Sequence, residues 1–198
     1  MTRRARVAAE TDRGRERREH LLSVALRAFA AEGFRGASTS RIAKAAGISE
    51  SGLLHHYPSK RDLLFGVLQR QEQLSLRRAA EITAHGGTYC DWTIELARRH
   101  EADPTFIRLF IVLAGESTAS DHPAHAWFRE RYARVLRWWE EGFIQDRERG
   151  ALPRHADPHL IARQVVAILD GAELQHLLAD GELDIVAPLQ AFLAAIRD

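Results

Sequence analysis

The chain has a single cysteine, Cys90, among its 198 residues. That excludes an internal disulfide and a CxxC metal site. No apolar run is long enough to span a bilayer, and the basic start is not followed by an apolar segment of signal-peptide type. A reducing cytoplasm is the expected location. No strand-like alternation occurs anywhere, so no glycine-rich phosphate loop can follow a strand. There is no HExxH, and no serine, histidine and acid arrangement announces a nucleophile. Internal repeats and low-complexity segments are also missing. No catalytic residue, cofactor or metal is expected, and the chain does not read as an enzyme. His122, His125 and Glu116 come nearest to a metal set, but Pro123 intervenes. DHPAH reads instead as the start of a helix, with Asp121 in the N-cap region and Pro123 in the first turn.

What is present is an all-α pattern with a strong division of charge. Hydrophobic residues make up 45% of the chain, enough for a packed core, and the net charge is +1. Residues 1–78 hold 16 Lys and Arg against 8 Asp and Glu, while residues 79–198 hold 12 against 19. Positive charge at one end is what a phosphate-binding surface requires. The acidic remainder argues against nucleic acid wrapping the whole molecule.

Residues 1–12, with Arg3, Arg4 and Arg6, read as a flexible basic arm, either phosphate-binding or merely solubilising. The spacing of Leu21, Leu22, Ala25, Leu26, Phe29 and Ala30 predicts a first helix from about Arg13 to Glu32, with Gly33 as its C-cap. Ser38 or Thr39 caps a second helix, SRIAKAAG, and Gly47 supplies a turn. Ser49 caps a third, ESGLLHHY, which Pro58 stops, and Ser59 caps a long fourth helix over residues 60–84. Further helices are expected over Tyr89–Arg99, from Pro104 to about Ser117, from Pro123 to Gly150, over residues 159–180 and over residues 184–198, with His100–Asp103 as a connection. Two short helices joined at a glycine turn make a helix-turn-helix, whose second member can enter the DNA major groove.

Leu53 and Tyr57 lie one turn apart on the third helix and should face inward. That leaves Glu50, Ser51, Gly52, Leu54, His55 and His56 to face out, beside the cap Ser49. Ser51 and the histidines can hydrogen-bond base edges or phosphates, and Leu54 can touch a thymine methyl. Gly52 would let the backbone approach closely. Thr39, Ser40 and Arg41 begin the second helix, where free N–H groups attract phosphate, and Lys60 can hold a phosphate from the other side. No Arg or Asn sits on the third helix, so specificity should lean on shape, water and Arg41 or Lys44.

The run Gly33-Phe34, Ser38-Thr39-Ser40-Arg41-Ile42-Ala43-Lys44-Ala45-Ala46-Gly47-Ile48-Ser49, Leu53-Leu54-His55-His56-Tyr57-Pro58-Ser59-Lys60 and Leu63-Leu64 resembles the TetR family of bacterial transcription regulators. The resemblance is dense over about residues 18–65, and the order of the later helices fits the family's nine-helix plan. It implies an all-helical homodimer with DNA-binding domains at one end and ligand-relieved repression; the chain then divides into the arm 1–12, a helix-turn-helix DNA-binding domain 13–60, and a ligand-binding and dimerisation domain 61–198. It also implies that Thr39 meets phosphate and that Lys60 takes the usual phosphate-contacting lysine position. Tyr57 takes a core Phe position. Leu54 stands where the family commonly has a backbone-touching Tyr, so that contact is lost here.

The later helices carry two further expectations. Helix 8 shows Leu160, Val165, Ile168, Leu169, Leu174 and Leu177, and helix 9 adds Leu189, Phe192 and Leu193. A pair this apolar needs cover on more than one side, from a second copy packed as a four-helix bundle or from a large monomer core. The resemblance assigns both helices to the dimer interface. Trp92, Phe106, Phe110, Trp127 and Trp138 can line an apolar pocket or simply be core. Glu116, Asp170, Glu173 and His176 are polar groups within apolar stretches. Asp170 and Glu173 would either bind a polar ligand group or pair with Arg163 or an Arg of helix 7.

The leading expectation is a sequence-specific DNA-binding regulator, a repressor whose DNA affinity is lowered by a small organic effector, acting as a homodimer on a palindromic operator. An architectural or ligand-independent DNA-binding dimer and a transcriptional activator stay open as alternatives.

Overall fold

The computed structural model describes the backbone of residues 3–197, and side chains from Gly14 onward with Thr83 excepted. The helices are α1 (Arg3–Gly36), α2 (Thr39–Ala45), α3 (Glu50–His56), α4 (Lys60–Ala84), α5 (Tyr89–Ala102), α6 (Thr105–Glu116), α7 (His125–Glu148), α8 (Pro158–Leu178) and α9 (Val186–Arg197). The fold is all-α, as the periodicity predicts. The segment expected to be a flexible basic arm, residues 1–12, is helical in its backbone from Arg3, so α1 begins about ten residues before the start expected at Arg13; the arm's side chains lie outside the described residues.

The chain divides into two compact units, 1–73 and 74–198, with the division inside α4. In the first unit, Leu21, Leu22, Ala25, Leu26, Phe29 and Ala30 are buried as one stripe of α1, together with Ala37, Ile42, Ala43, Leu53 and Tyr57. Leu63, Leu64, Val67 and Leu68 complete this core, so the first turns of α4 belong with the helix-turn-helix, beyond the boundary expected at residue 60. The regular helix of α1 breaks at Gly33 (φ 67, ψ −177), and Phe34 follows with its ring 6.3 Å from that of Phe29. Gly47 takes φ 70 in the turn between α2 and α3, a left-handed conformation that costs a side chain about 1 kcal/mol or more.

In the second unit the core gathers Trp92, Ile107, Trp139, Phe143, Ile161, Val165, Leu189 and Leu193. The N-terminus of α5 is doubly served. Thr88 and Asp91 form a reciprocal capping box, and the fully buried Asp146 of α7 accepts from the N–H groups of Tyr89 (3.0 Å) and Cys90 (2.9 Å). Burial raises the Cys90 thiol pKa to about 12, and the neighbouring Asp146 carboxylate adds to the rise.

Boundaries in the second unit also differ from expectation. The connection expected at His100–Asp103 is helical through Ala102, because His100 has a buried partner, the carboxylate of Glu173. α7 begins at His125, not Pro123. Its N-cap residue is Ala124, whose N–H reaches His122 Nδ1 at 3.2 Å, so the cap expected of Asp121 is not made there. α9 begins at Val186, with the Asp184 carboxylate accepting from the Val186 and Ala187 N–H groups and Glu101 of α5 accepting from Ile185 (2.7 Å).

Candidate functional site

Two features stand out, one in each unit. In the first unit, Ser38 Oγ accepts from the Arg41 N–H and Ser49 Oγ from the Gly52 N–H, so both short helices are capped by the serines that precede them. With Leu53 and Tyr57 buried, Glu50, Ser51, Leu54, His55 and His56 are exposed on α3, Leu54 at 39%. The imidazoles of His55 and His56 lie 5.6 Å apart at 66°. Gly52 is half-buried, and a Cβ there would come 3.2 Å from Ser49 Oγ, so small size serves the cap as well as the face.

Several of the candidate contacts are already engaged within the protein. Thr39 Oγ1 donates to Glu50 Oε1 at 2.8 Å. Arg41 pairs with Glu32 at 2.5 Å and donates to the Gly36 carbonyl at 3.0 Å. Ser49 and Ser51 hydroxyls lie 3.0 Å apart. Lys60 Nζ donates to the carbonyls of Ala37 (2.9 Å) and Arg35 (3.3 Å), and sits 4.7 Å from the Phe34 ring centroid. It therefore closes the C-terminal end of α1, a role that motif reading did not reveal. Ser40 and Lys44 are exposed on α2. Arg18 donates to the Tyr57 hydroxyl at 2.9 Å, and its pKa is raised by that bond.

The second feature is a cavity of about 220 Å³ among α5, α6, α7 and α8. Phe106, Phe110, Asp170 and Glu173 line it, as the sequence led us to expect of a ligand site. Trp92, Glu116, Trp127, Trp138 and His176 do not. Trp92 is core, and its ring meets Trp138 edge-on. Trp127 stands against Phe110 and Phe128. Glu116 lies 3.4 Å from His122 Nε2, while His122 Nδ1 accepts from Ser117 Oγ at 2.9 Å. His176 Nδ1 donates to the Leu183 carbonyl at 2.6 Å and closes the α8–α9 turn.

The hydrogen-bond partners of the two cavity carboxylates, His100 and Tyr132, carry no signal in the sequence. Glu173 accepts from His100 Nδ1 at 2.5 Å, and Asp170 accepts from the Tyr132 hydroxyl at 2.9 Å. Arg163, one expected partner, is exposed, while an Arg of α7, Arg131, is the cation that acts on Asp170. Arg131 of α7 also lines the cavity, its guanidinium carbon 4.1 Å from the Phe110 ring centroid. Desolvation holds the Asp170 carboxyl above the usual carboxylate range. The Tyr132 bond and Arg131 oppose this, and Glu173 adds to it. The Tyr132 phenol is pushed up, by desolvation first and then by Asp170.

Of the residues expected at a dimer interface, Val165, Leu169, Leu189 and Leu193 are buried within the protomer's own core. Ile168, Leu177 and Phe192 are half-buried, while Leu160 and Leu174 are exposed. Leu178, which was not singled out, is 77% exposed. Among the described residues, no group of three or more His, Cys, Asp or Glu is placed to hold a metal, and no helix is long and apolar enough to cross a membrane.

Residues 21–67 match the model of the bacterial regulatory proteins of the tetR family. The chain is 30% identical over 106 residues to the HTH-type transcriptional repressor AcnR of Corynebacterium jeikeium, which covers 46% of this chain and 54% of that one. It is 39% identical over 57 residues to the HTH-type transcriptional regulator AcrR of Shigella flexneri, covering 29% and 26%. The chain thus spans about half the length of the first of these relatives and about a quarter of the second. In fold it is similar to a transcriptional regulator from Saccharomonospora viridis in complex with choline, with TM-score 0.72, 21% identity, and 91% and 94% of the two chains covered.

Proposed function

We propose that this member of the TetR family of helix-turn-helix regulators is a homodimeric repressor that reads a palindromic operator and is released by a small organic effector. The observation that carries the DNA reading is the serine-capped pair α2–α3, with Ser51, Leu54, His55 and His56 on the open face of α3. A recognition helix presents just such a row to base edges, while the N-terminus of α2 and the basic residues around it meet phosphate. Residues 13–60, extended by the first turns of α4, act as the reader. The remainder holds the effector and the dimer contact.

Self-association is supported by leucines without apolar cover. Leu160, Leu174 and Leu178 are exposed on α8, and a second copy packed helix to helix would bury them. Two readers related by a twofold axis then match a palindrome. The effector reading rests on the cavity, which combines an aromatic wall with a few converging polar groups. The choline held by the similarly folded S. viridis regulator, and the repressor function in the name of the C. jeikeium relative, point the same way.

The test is selection of bound duplexes from a random DNA pool by the purified full chain at physiological salt. A palindrome recovered by a dimer is the expected result. Recovery with no sequence preference would replace this reading with an architectural DNA binder.

A further inference from the structure

We propose that the cavity takes an uncharged molecule of one ring bearing a hydroxyl group, the hydroxyl on His100 Nε2 and the ring against Phe106 and Phe110. This deepens the effector reading above and rests on it.

Size and lining set the body of the ligand. A volume of about 220 Å³ suits one ring with a short substituent, since a cavity of about 150 Å³ accepts benzene. The rings of Phe106 and Phe110 lie 4.6 Å apart and tilted by 51°, and Leu96, Ile111 and Val166 add aliphatic wall. Such a lining holds apolar surface.

Charge excludes ions, because the ionic groups at the cavity are already matched. Glu173 accepts from His100 Nδ1 at 2.5 Å. Asp170 accepts from the Tyr132 hydroxyl at 2.9 Å, and the Arg131 guanidinium acts on it as well. An anion would face both carboxylates. A cation would share the space with Arg131 and compete for carboxylates that have partners. An uncharged molecule leaves every one of these contacts in place.

The polar atom left over is His100 Nε2. The His100 side chain is 10% exposed and lines the cavity, its ring 5.2 Å from that of Phe106. Nδ1 is taken by Glu173. Nε2 makes no hydrogen bond among the described residues, yet it keeps open surface. An ionised carboxylate can only accept, so Nδ1 carries a proton. Nε2 is then a lone pair on the neutral ring and an N–H on the charged one. A hydroxyl donates to the first and accepts from the second, so it pairs with Nε2 in either state.

The experiment titrates four probes into the full chain by calorimetry: p-cresol, its isostere p-xylene, the anion p-toluate and the cation p-methylbenzylammonium. p-Cresol should bind at least as tightly as p-xylene and at least about tenfold more tightly than either ion. A hydroxyl buried without a partner would instead put p-xylene ahead by roughly tenfold. His100→Phe combined with Glu173→Met keeps both shapes and removes the pair together, so no buried charge is stranded. In that variant p-xylene should lead by about tenfold or more. Nitrogen NMR of ring-labelled histidine in the unaltered protein gives a readout free of any folding defect. There p-cresol should shift the His100 Nε2 signal well beyond the shift p-xylene causes. Any of five outcomes would overturn the proposal: p-xylene ahead of p-cresol in the unaltered protein, an ion bound as tightly as p-cresol, no probe bound, a p-cresol preference that survives in the folded double variant, or an Nε2 signal that both neutral probes shift alike. Release of the selected duplex is measured separately. p-Cresol held at Nε2 with DNA affinity unmoved would keep the ligand class and overturn the effector reading. Duplex release by p-toluate or p-methylbenzylammonium, with p-cresol inert, would do the reverse.

Discussion

Thr39 Oγ1 donates to Glu50 Oε1 at 2.8 Å, joining the first residue of α2 to the first residue of α3 across the helix-turn-helix. The bond ties the starts of the two short helices together and, on the proposed reading of α3, sets a carboxylate beside the approaching phosphates. Glu50 is exposed, so its charge acts mainly on the approaching duplex.

Glu50→Gln keeps a hydrogen-bond acceptor for Thr39 and removes that charge. We expect affinity for non-specific duplex to rise by about threefold to tenfold at low salt and by less at high salt. Fluorescence anisotropy with a labelled random duplex measures this. A fall in affinity would mean that Glu50 contacts a base directly, as a carboxylate does with cytosine N4.

Lys60 combines two roles, and the two can be separated by measurement. Its ammonium holds the carbonyls of Ala37 and Arg35. Lys60→Ala should therefore cost about 1–3 kcal/mol of stability, read from urea melts. If the third donor of the ammonium also meets a phosphate, the slope of log affinity against log salt should fall by about 1 in magnitude. An unaltered slope with lost stability would leave Lys60 as a purely structural clamp.

Leu174 and Leu178 are exposed on α8 of the single protomer. Leu178→Glu should leave the protomer folded and make it sediment as a monomer. It should also weaken operator binding by at least about a hundredfold, because each reader then binds alone. A dimer of unchanged strength would place the self-contact elsewhere.

Asp91 gives a prediction in pH. The Thr88 hydroxyl bond, and then the Thr88 N–H bond, hold its carboxyl below the usual range. A folded-state value that is depressed means the stabilisation is complete above the unfolded value, about 3.9, and is lost as pH falls through the folded one. Asp91→Asn should therefore cost about 1 kcal/mol at neutral pH and almost nothing at pH values below both. Thermal melts of the two proteins across that range check it; curves that stay parallel would remove Asp91 from the cap.

Local rules made the first unit readable. Ser38, Ser49, Gly33 and Gly47 each declare a cap or a turn within four residues, and α4 runs over Lys60–Ala84 as its spacing predicts. The second unit depends on partners distant in sequence. His100 could not be assigned to a helix, or to the cavity, without knowing that Glu173 stands opposite. The aromatic residues were visible, but their periodicity could not separate Trp92, which is core, from Phe110, which lines the cavity. Both are apolar, and only packing between helices decides. The same limit held for α8 and α9, where Val165 and Leu189 turn inward while Leu174 does not.

The Asp146 carboxylate caps a helix that begins 57 residues earlier, at Tyr89. A growing polypeptide therefore emerges with the Tyr89 and Cys90 N–H groups lacking this partner until most of α7 has left the ribosome. The unit before residue 74 carries its own core and can fold in the meantime. The nascent chain should thus hold a finished first unit ahead of an unfinished second, and a chain that stops before Asp146 would carry the first without the second. Long-range closure of this kind carries an entropic cost that grows with the logarithm of the loop it must fix, and the second half is the part that waits on synthesis.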